Sequence, residues 1–286
     1  MAGRSERVAV VTDSTTYLPD SVAAEAGLTV VPLTVVIAGV PGLEGVDITP
    51  ADVAKALESR RTHVTTSRPA PDVFAETYSD LLDAGAPGVV SVHLSAQLSG
   101  TFDAACMAAE QFGDRVEVVD SRSTGMGLGF PALAAASAAA DGKPLSEVRD
   151  AAIAAADRTT ALFYVDTLEF LRRGGRIGAA SALLGTALSV KPILRLGDGR
   201  IAVSDKVRTA SRALARLVDL AVDAAGDAEV DVAVHHLVAA ERAEGLRQSI
   251  TSRLGDRVRR VYTTEVGAAV AAHTGPGLVC AVISRL

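Results

Sequence analysis

The sequence predicts an α/β protein of two domains, an N-terminal α/β domain with a parallel sheet and a C-terminal mixed α+β domain. Three observations predict it. Short Val-rich runs alternate with helical patterns through the first half, as expected for a parallel sheet covered on both faces. At 286 residues the chain exceeds what one core usually organises. Beyond about residue 160 the alternation gives way to a hairpin signal and a different order of elements.

Arg7–Val11 reads as the first strand, Pro19–Ala26 as a helix and Leu28–Ile37 as one continuous second strand. Pro50–Arg60 and Pro71–Ala84 read as helices, each opened by a proline, and Gly88–Leu94 as a strand. Helix Ser99–Phe112, strand Arg115–Val119 and the Ala-rich helix Met126–Asp141 follow, then helix Leu145–Arg158. In the second half Ser189–Leu196 and Arg200–Lys206 flank the turn GDG as a hairpin. Helix Ala210–Ala225, strand Glu229–His235, helix Ala239–Leu254 and strands Arg257–Thr263 and Gly277–Ser284 complete the chain. The domains are accordingly drawn as 1–160 and 161–286.

Composition narrows the function classes. Hydrophobic residues make up 49% and charged residues 22%, enough apolar material for a sizeable core. Aromatics are only 3%, with no Trp, so any pocket is aliphatic and suits an alkyl chain better than a stacked base. A net charge of −6 with no basic run argues against nucleic acid. Cys106 and Cys280 stand alone in apolar surroundings and are expected as buried free thiols, with a disulfide between them left open. The start MAGRSERVAVVTDS lacks the apolar core of a signal peptide, and no run is long enough to span a membrane. A cytoplasmic setting is the expectation.

Four segments place polar residues directly after strands: VTDST (Asp13, Ser14, Thr15), VTTSRP (Thr65, Thr66, Ser67), VHLSAQLSGT (Ser95, Ser99, Thr101) and AAHTGPG (His273). Asp, Ser and Thr in such places are also ordinary helix caps, worth about 1 kcal/mol each. In a parallel α/β sheet, however, the carboxyl ends of the strands are where ligands bind, and four such turns are expected around one rim.

The strings TDST, TSRP, LSGT, VVDSRS, LRRGGRI, KPIL, KVRTASRA and HTGPG fall in the order and spacing of DegV-family proteins, so the chain resembles that family from residue 7 to 286. The resemblance implies a two-domain protein that binds a long-chain fatty acid and takes no cofactor. It also implies a partner, a separate fatty acid kinase subunit that makes the acyl phosphate. By the same resemblance Thr65, Ser95 and His273 hydrogen-bond the carboxylate, with Thr66, Asp13, Ser14 and Ser99 beside them. A carboxylate removed from water needs such donors, because leaving it unpaired costs several kcal/mol. Arg172, Arg173, Arg176, Lys206 and Arg208 are implied to dock the kinase or handle the phosphorylated head group; ordinary solvated charge is the other reading. Two positions depart from the family: Arg68 stands where Gln is frequent and is read as solvated, and Ala96 stands where a second Ser is frequent.

Other chemistries have less behind them. Ser95, His273 and Asp13 have the residue types of a hydrolytic triad for acyl esters, but no GxSxG elbow occurs. GMGLG at Gly125–Gly129 is not a full dinucleotide fingerprint, no GxxxxGK[ST] exists, and helix packing is the reading preferred for these glycines. The five histidines have no metal-ligand spacing.

Overall fold

In the computed structural model, which describes residues 7–59, 61–183 and 190–286, the run Leu28–Ile37 is not one strand. It splits at Pro32 into two strands that belong to different sheets. Proline has no N–H to give a ladder, so a run containing one is a poor central strand.

Along the chain the elements are β1 (Ala9–Asp13), α1 (Asp20–Glu25), β2 (Leu28–Val31), β3 (Thr34–Ile37), β4 (Val40–Leu43), α2 (Pro50–Glu58) and β5 (Val64–Ser67). Next come α3 (Pro71–Asp83), β6 (Val89–His93), α4 (Thr101–Ala109), β7 (Val116–Asp120), α5 (Met126–Ala140), α6 (Leu145–Asp157), β8 (Thr159–Tyr164) and α7 (Glu169–Arg173). The remainder is β9 (Lys191–Gly197), β10 (Arg200–Val207), α8 (Ala210–Ala225), β11 (Val230–His236), α9 (Ala240–Leu254), β12 (Val258–Glu265), α10 (Ala268–Thr274) and β13 (Val279–Arg285). Arg60 and Ser189, at the ends of two expected elements, lie outside the described residues.

The chain divides into two units, residues 1–34 with 67–157 and residues 35–66 with 158–286. Of the three crossings between the units, the last, at 157/158, lies near residue 160, where the sequence division is drawn. The excursion 35–66 has no counterpart in the contiguous division expected from sequence, because its strands are short and its polar loops look like connections.

The first unit is a parallel sheet in the order β2-β1-β6-β7. Alternate residues face opposite sides. Val10, Val90 and Val92 pack against Leu128 and Ala135 of α5 and Val148 of α6. Val11 and Val89 pack against Phe74 and Tyr78 of α3 and Ala104 and Ala108 of α4. Gly129 permits one close approach, since a Cβ there would lie 2.6 Å from Met126 Sδ and 3.3 Å from the Thr16 carbonyl.

The second unit holds a mixed six-stranded sheet, β10-β9-β8-β13-β11-β12, in which only the β11–β12 pair is parallel among the registered pairs. Val232 and Val234 of β11 and Ala281 and Ile283 of β13 cover Leu217 of α8 and Ile250 of α9. The excursion adds α2 and a three-stranded sheet, β4-β3-β5. Cys106 and Cys280 are both free thiols and half-buried, less covered than their apolar flanks suggest.

Candidate functional site

In the first unit the polar residues gather where β1 and β6 end. Asp13 is fully buried. Its Oδ1 accepts from the backbone N–H of Thr15 at 3.0 Å and from the Thr15 hydroxyl at 2.6 Å. Its Oδ2 accepts from His93 Nδ1 at 3.0 Å and from the N–H of Leu94 at 2.9 Å. Because a carboxylate only accepts, His93 carries its proton on Nδ1, and Nε2 is left to take the Ser91 hydroxyl at 2.7 Å. Ser91 in turn accepts from the Tyr78 hydroxyl at 2.8 Å. Burial pushes the Tyr78 phenol above its ordinary range, and the bond to Ser91 opposes that rise.

Both oxygens of Asp13 are thus occupied inside the unit. Asp13 is not bonded to His273 as a hydrolytic triad would require; its histidine is His93. The Ser91–His93–Asp13 sequence has triad residue types, but all three side chains are fully buried, which denies a substrate access to Ser91.

The neighbouring candidates are held by local turns. Ser14 Oγ accepts from the N–H of Leu33 at 3.0 Å. Ser95 is fully buried; its N–H donates to the Ser123 carbonyl at 2.9 Å and its Oγ accepts from the N–H of Gln97 at 3.1 Å. Ser99 and Thr101 share a hydroxyl bond of 2.9 Å at the start of α4. Arg68 lies over Gly100 and donates to its carbonyl at 3.2 Å, so it is an exposed side chain with a backbone partner.

In the second unit the central pair is Thr66 and His273, with Oγ1 and Nε2 hydrogen-bonded at 2.8 Å. The sequence expectation named Thr65 for this network. Thr65 and Thr66 lie on β5 rather than in a turn, and strand alternation sends them to opposite faces, leaving Thr65 exposed. His273 sits in the last turn of α10, a helix not expected from the sequence. Its pKa is pulled down to about 4, first by burial and then by the Arg176 charge, so the imidazole is neutral near pH 7. Its Nδ1 is buried against Gly174, where a Cβ would overlap it.

The strings LRRGG and HTGPG are therefore two halves of one packed joint. A Cβ at Gly275 would overlap the Phe170 ring, and one at Gly277 would overlap the Asp166 carboxylate. Asp166 is fixed by Tyr164 at 3.0 Å and by Arg242 at 3.0 and 3.1 Å. Gly175 takes a positive φ in the tight turn that follows α7.

Of the expected cationic residues, Arg172 and Arg173 are exposed and both engage Glu169, which holds that carboxyl down at about 2 through Arg172 first and Arg173 second. Arg176 is half-buried and donates to the Gly174 carbonyl at 2.6 Å. Lys206 and Arg208 are exposed at the end of β10.

A family model described as uncharacterised protein of the DegV family matches residues 7–285. The chain belongs to the DegV family. A DegV domain-containing protein of Streptomyces coelicolor is 53% identical over 283 residues, covering 98% of this chain and 99% of that one. One from Mycobacterium tuberculosis is 40% identical over 273 residues, 95% of each chain. Among solved structures, a DegV-family protein from Thermus thermophilus, described for its fatty acid binding, matches with a TM-score of 0.93 at 34% identity, over 98% of this chain and 100% of that one. DegV from Bacillus subtilis, described as a fatty acid binding protein, matches with a TM-score of 0.88 at 28% identity, over 98% and 100% of the two chains. The DegV fold expected from the sequence is thus the fold observed.

Sequence reasoning missed two residues of these clusters. His93 was set aside with the other histidines, although the spacing Ser91–x–His93 on a strand puts both on one face. Glu44 was not singled out, yet it is a carboxylate within the apolar string VPGLEGVDI and is buried. Among the described residues no group of three or more His, Cys, Asp or Glu is placed to hold a metal ion, and no helix is long and apolar enough to cross a membrane.

Proposed function

We propose that this protein binds a long-chain fatty acid, with the Thr66 hydroxyl, oriented by His273, donating to its carboxylate. The observation that carries the reading is the full-length match to the Thermus thermophilus protein described for its fatty acid binding. The chemistry of the Thr66–His273 pair supports it. With Nδ1 buried against Gly174, Nε2 is the ring nitrogen that meets Thr66, and a hydroxyl held by a neutral imidazole can donate to a carboxylate without adding fixed charge. The aliphatic composition suits the tail, and a chain of about 14 methylenes contributes a gross term on the order of 11 kcal/mol before the cost of immobilising it.

The same proposal extends to a partner. A separate kinase subunit acting on the carboxylate in the cytoplasm would find exposed cations at Arg172, Arg173, Lys206 and Arg208. Hydrolysis of acyl esters is not carried forward, because Asp13 and His273 have different partners.

Denaturing mass spectrometry of lipid extracted from the purified protein tests the central claim. A stoichiometric fatty acid is the expected result; lipid-free protein that also fails to take up added oleate would refute it. Thr66→Val should lower the bound fraction while the protein stays folded.

A further inference from the structure

The helix that carries His273 is short, and both of its ends are held by the excursion 35–66. At the C-terminal end Thr66 bonds the imidazole. At the N-terminal end the Glu44 carboxylate accepts from the N–H of Ala269 at 2.7 Å. Glu44 is only 5% exposed, an unusual place for a carboxylate. Ala269 is the second residue of α10, where N–H groups have no partner within the helix, and Gly267 at the cap position has no side chain to supply one. Glu44 therefore takes over the capping role from a distant part of the sequence, and the partial positive charge of a helix start favours its anion.

The loop around Glu44 is itself braced. Leu43 N–H donates to Asp47 Oδ2 at 2.8 Å, and the N–H groups of Gly45 and Ile48 bond within the same turn. The carboxylate is thus presented from a fixed loop. Along α10, Ala268, Ala269, Ala271 and Ala272 are all buried, so the helix is packed along its length and turns as one piece. A shift at its first turn is carried to His273 in its last.

We infer that Glu44 is a positioning residue for His273: by anchoring the start of α10 it sets where the imidazole meets Thr66. The inference rests on the fatty-acid reading for its functional consequence but not for its structural one. Retention of oleate and the histidine NMR signals of the intact protein test the two separately. Glu44→Ala should weaken oleate retention roughly three- to tenfold, the scale of one lost hydrogen bond. It should also move the His273 titration up toward that of an exposed histidine. In a His273→Ala background the same substitution should have little further effect on retention, because its influence passes through the imidazole. Glu44→Gln keeps an acceptor oxygen and should restore most of the loss. If Glu44→Ala fails to fold, Glu44→Asp, which withdraws the carboxylate by one methylene, should give the same two changes.

Unchanged retention and an unmoved His273 titration would overturn the inference, as would an equal loss of retention with and without His273. Should the wild type bind no oleate, the fatty-acid reading falls, while the His273 titration still decides whether Glu44 positions it.

Discussion

The buried Nδ1 of His273 lies over Gly174, with no space left for a Cβ. A glycine in LRRGG and the histidine of HTGPG are therefore one structural unit. Gly174→Ala should force the ring away from Thr66 or shift the α7 turn. We expect a loss of about 1–3 kcal/mol, typical of overpacking, together with weakened fatty-acid retention. Thermal melting and lipid extraction on the same sample check both; a stable variant with full lipid content contradicts the joint.

Thr65 and Thr66 offer a contrast within one strand. Thr66→Val keeps the shape and removes the hydroxyl that meets His273, and should lower retention by about 1 kcal/mol, or roughly fivefold. Thr65→Val changes an exposed position and should stay within about 0.5 kcal/mol of wild type. Oleate titration of the delipidated variants reads the difference. Equal losses would restore Thr65 to the site.

This pair also shows where sequence reading stops. The strings TSRP and HTGPG mark the right neighbourhood, because hydroxyl and imidazole groups clustered in short motifs stand out. Which threonine faces the histidine depends on strand phase, and β5 is too short for an alternation pattern to declare it. The parallel sheet of the first unit was legible because β1, β6 and β7 are Val-rich runs, with helices on either side of β6 and β7. Within the excursion 35–66 the helix opened by Pro50 was legible but the three-stranded sheet was not, since its short strands gain their stability from contacts distant in sequence. Asp13 was visible as a polar residue after a strand, but its four donors come from residues 15, 93 and 94, which no local pattern brings together.

Asp13→Asn tests the structural role of that carboxylate. An amide presents N–H donors where backbone and imidazole N–H groups already point, leaving at least one of them unpaired. A destabilisation on the order of 3 kcal/mol in urea is expected. Folded Asp13→Asn protein should still retain fatty acid. Normal stability with lipid lost would make Asp13 a ligand contact after all.

Acid should weaken the fold through its buried histidines before it reaches the paired carboxylates. His235 is fully enclosed, and burial together with its neighbour His236 pulls its pKa from 6.5 to about 4, against the opposing bond from Thr264. His273 is lowered to about 4 as well. Between about pH 6.5 and 4 the unfolded chain binds a proton at each site that the folded chain does not, so stability falls as the pH falls. The contribution is fully present above pH 6.5, and each histidine costs up to about 1.4 kcal/mol per pH unit within the window. Glu169 and Glu244, both held at about 2 by arginine partners, lose their contributions only below the ordinary carboxylate range near 4.5. The slope between pH 6.5 and 5 therefore isolates the histidines. Urea unfolding of wild type and His235→Asn across that interval should show a shallower dependence in the variant, by close to one proton. Parallel curves would mean that His235 titrates normally in the folded protein, and that its burial does not keep the ring neutral.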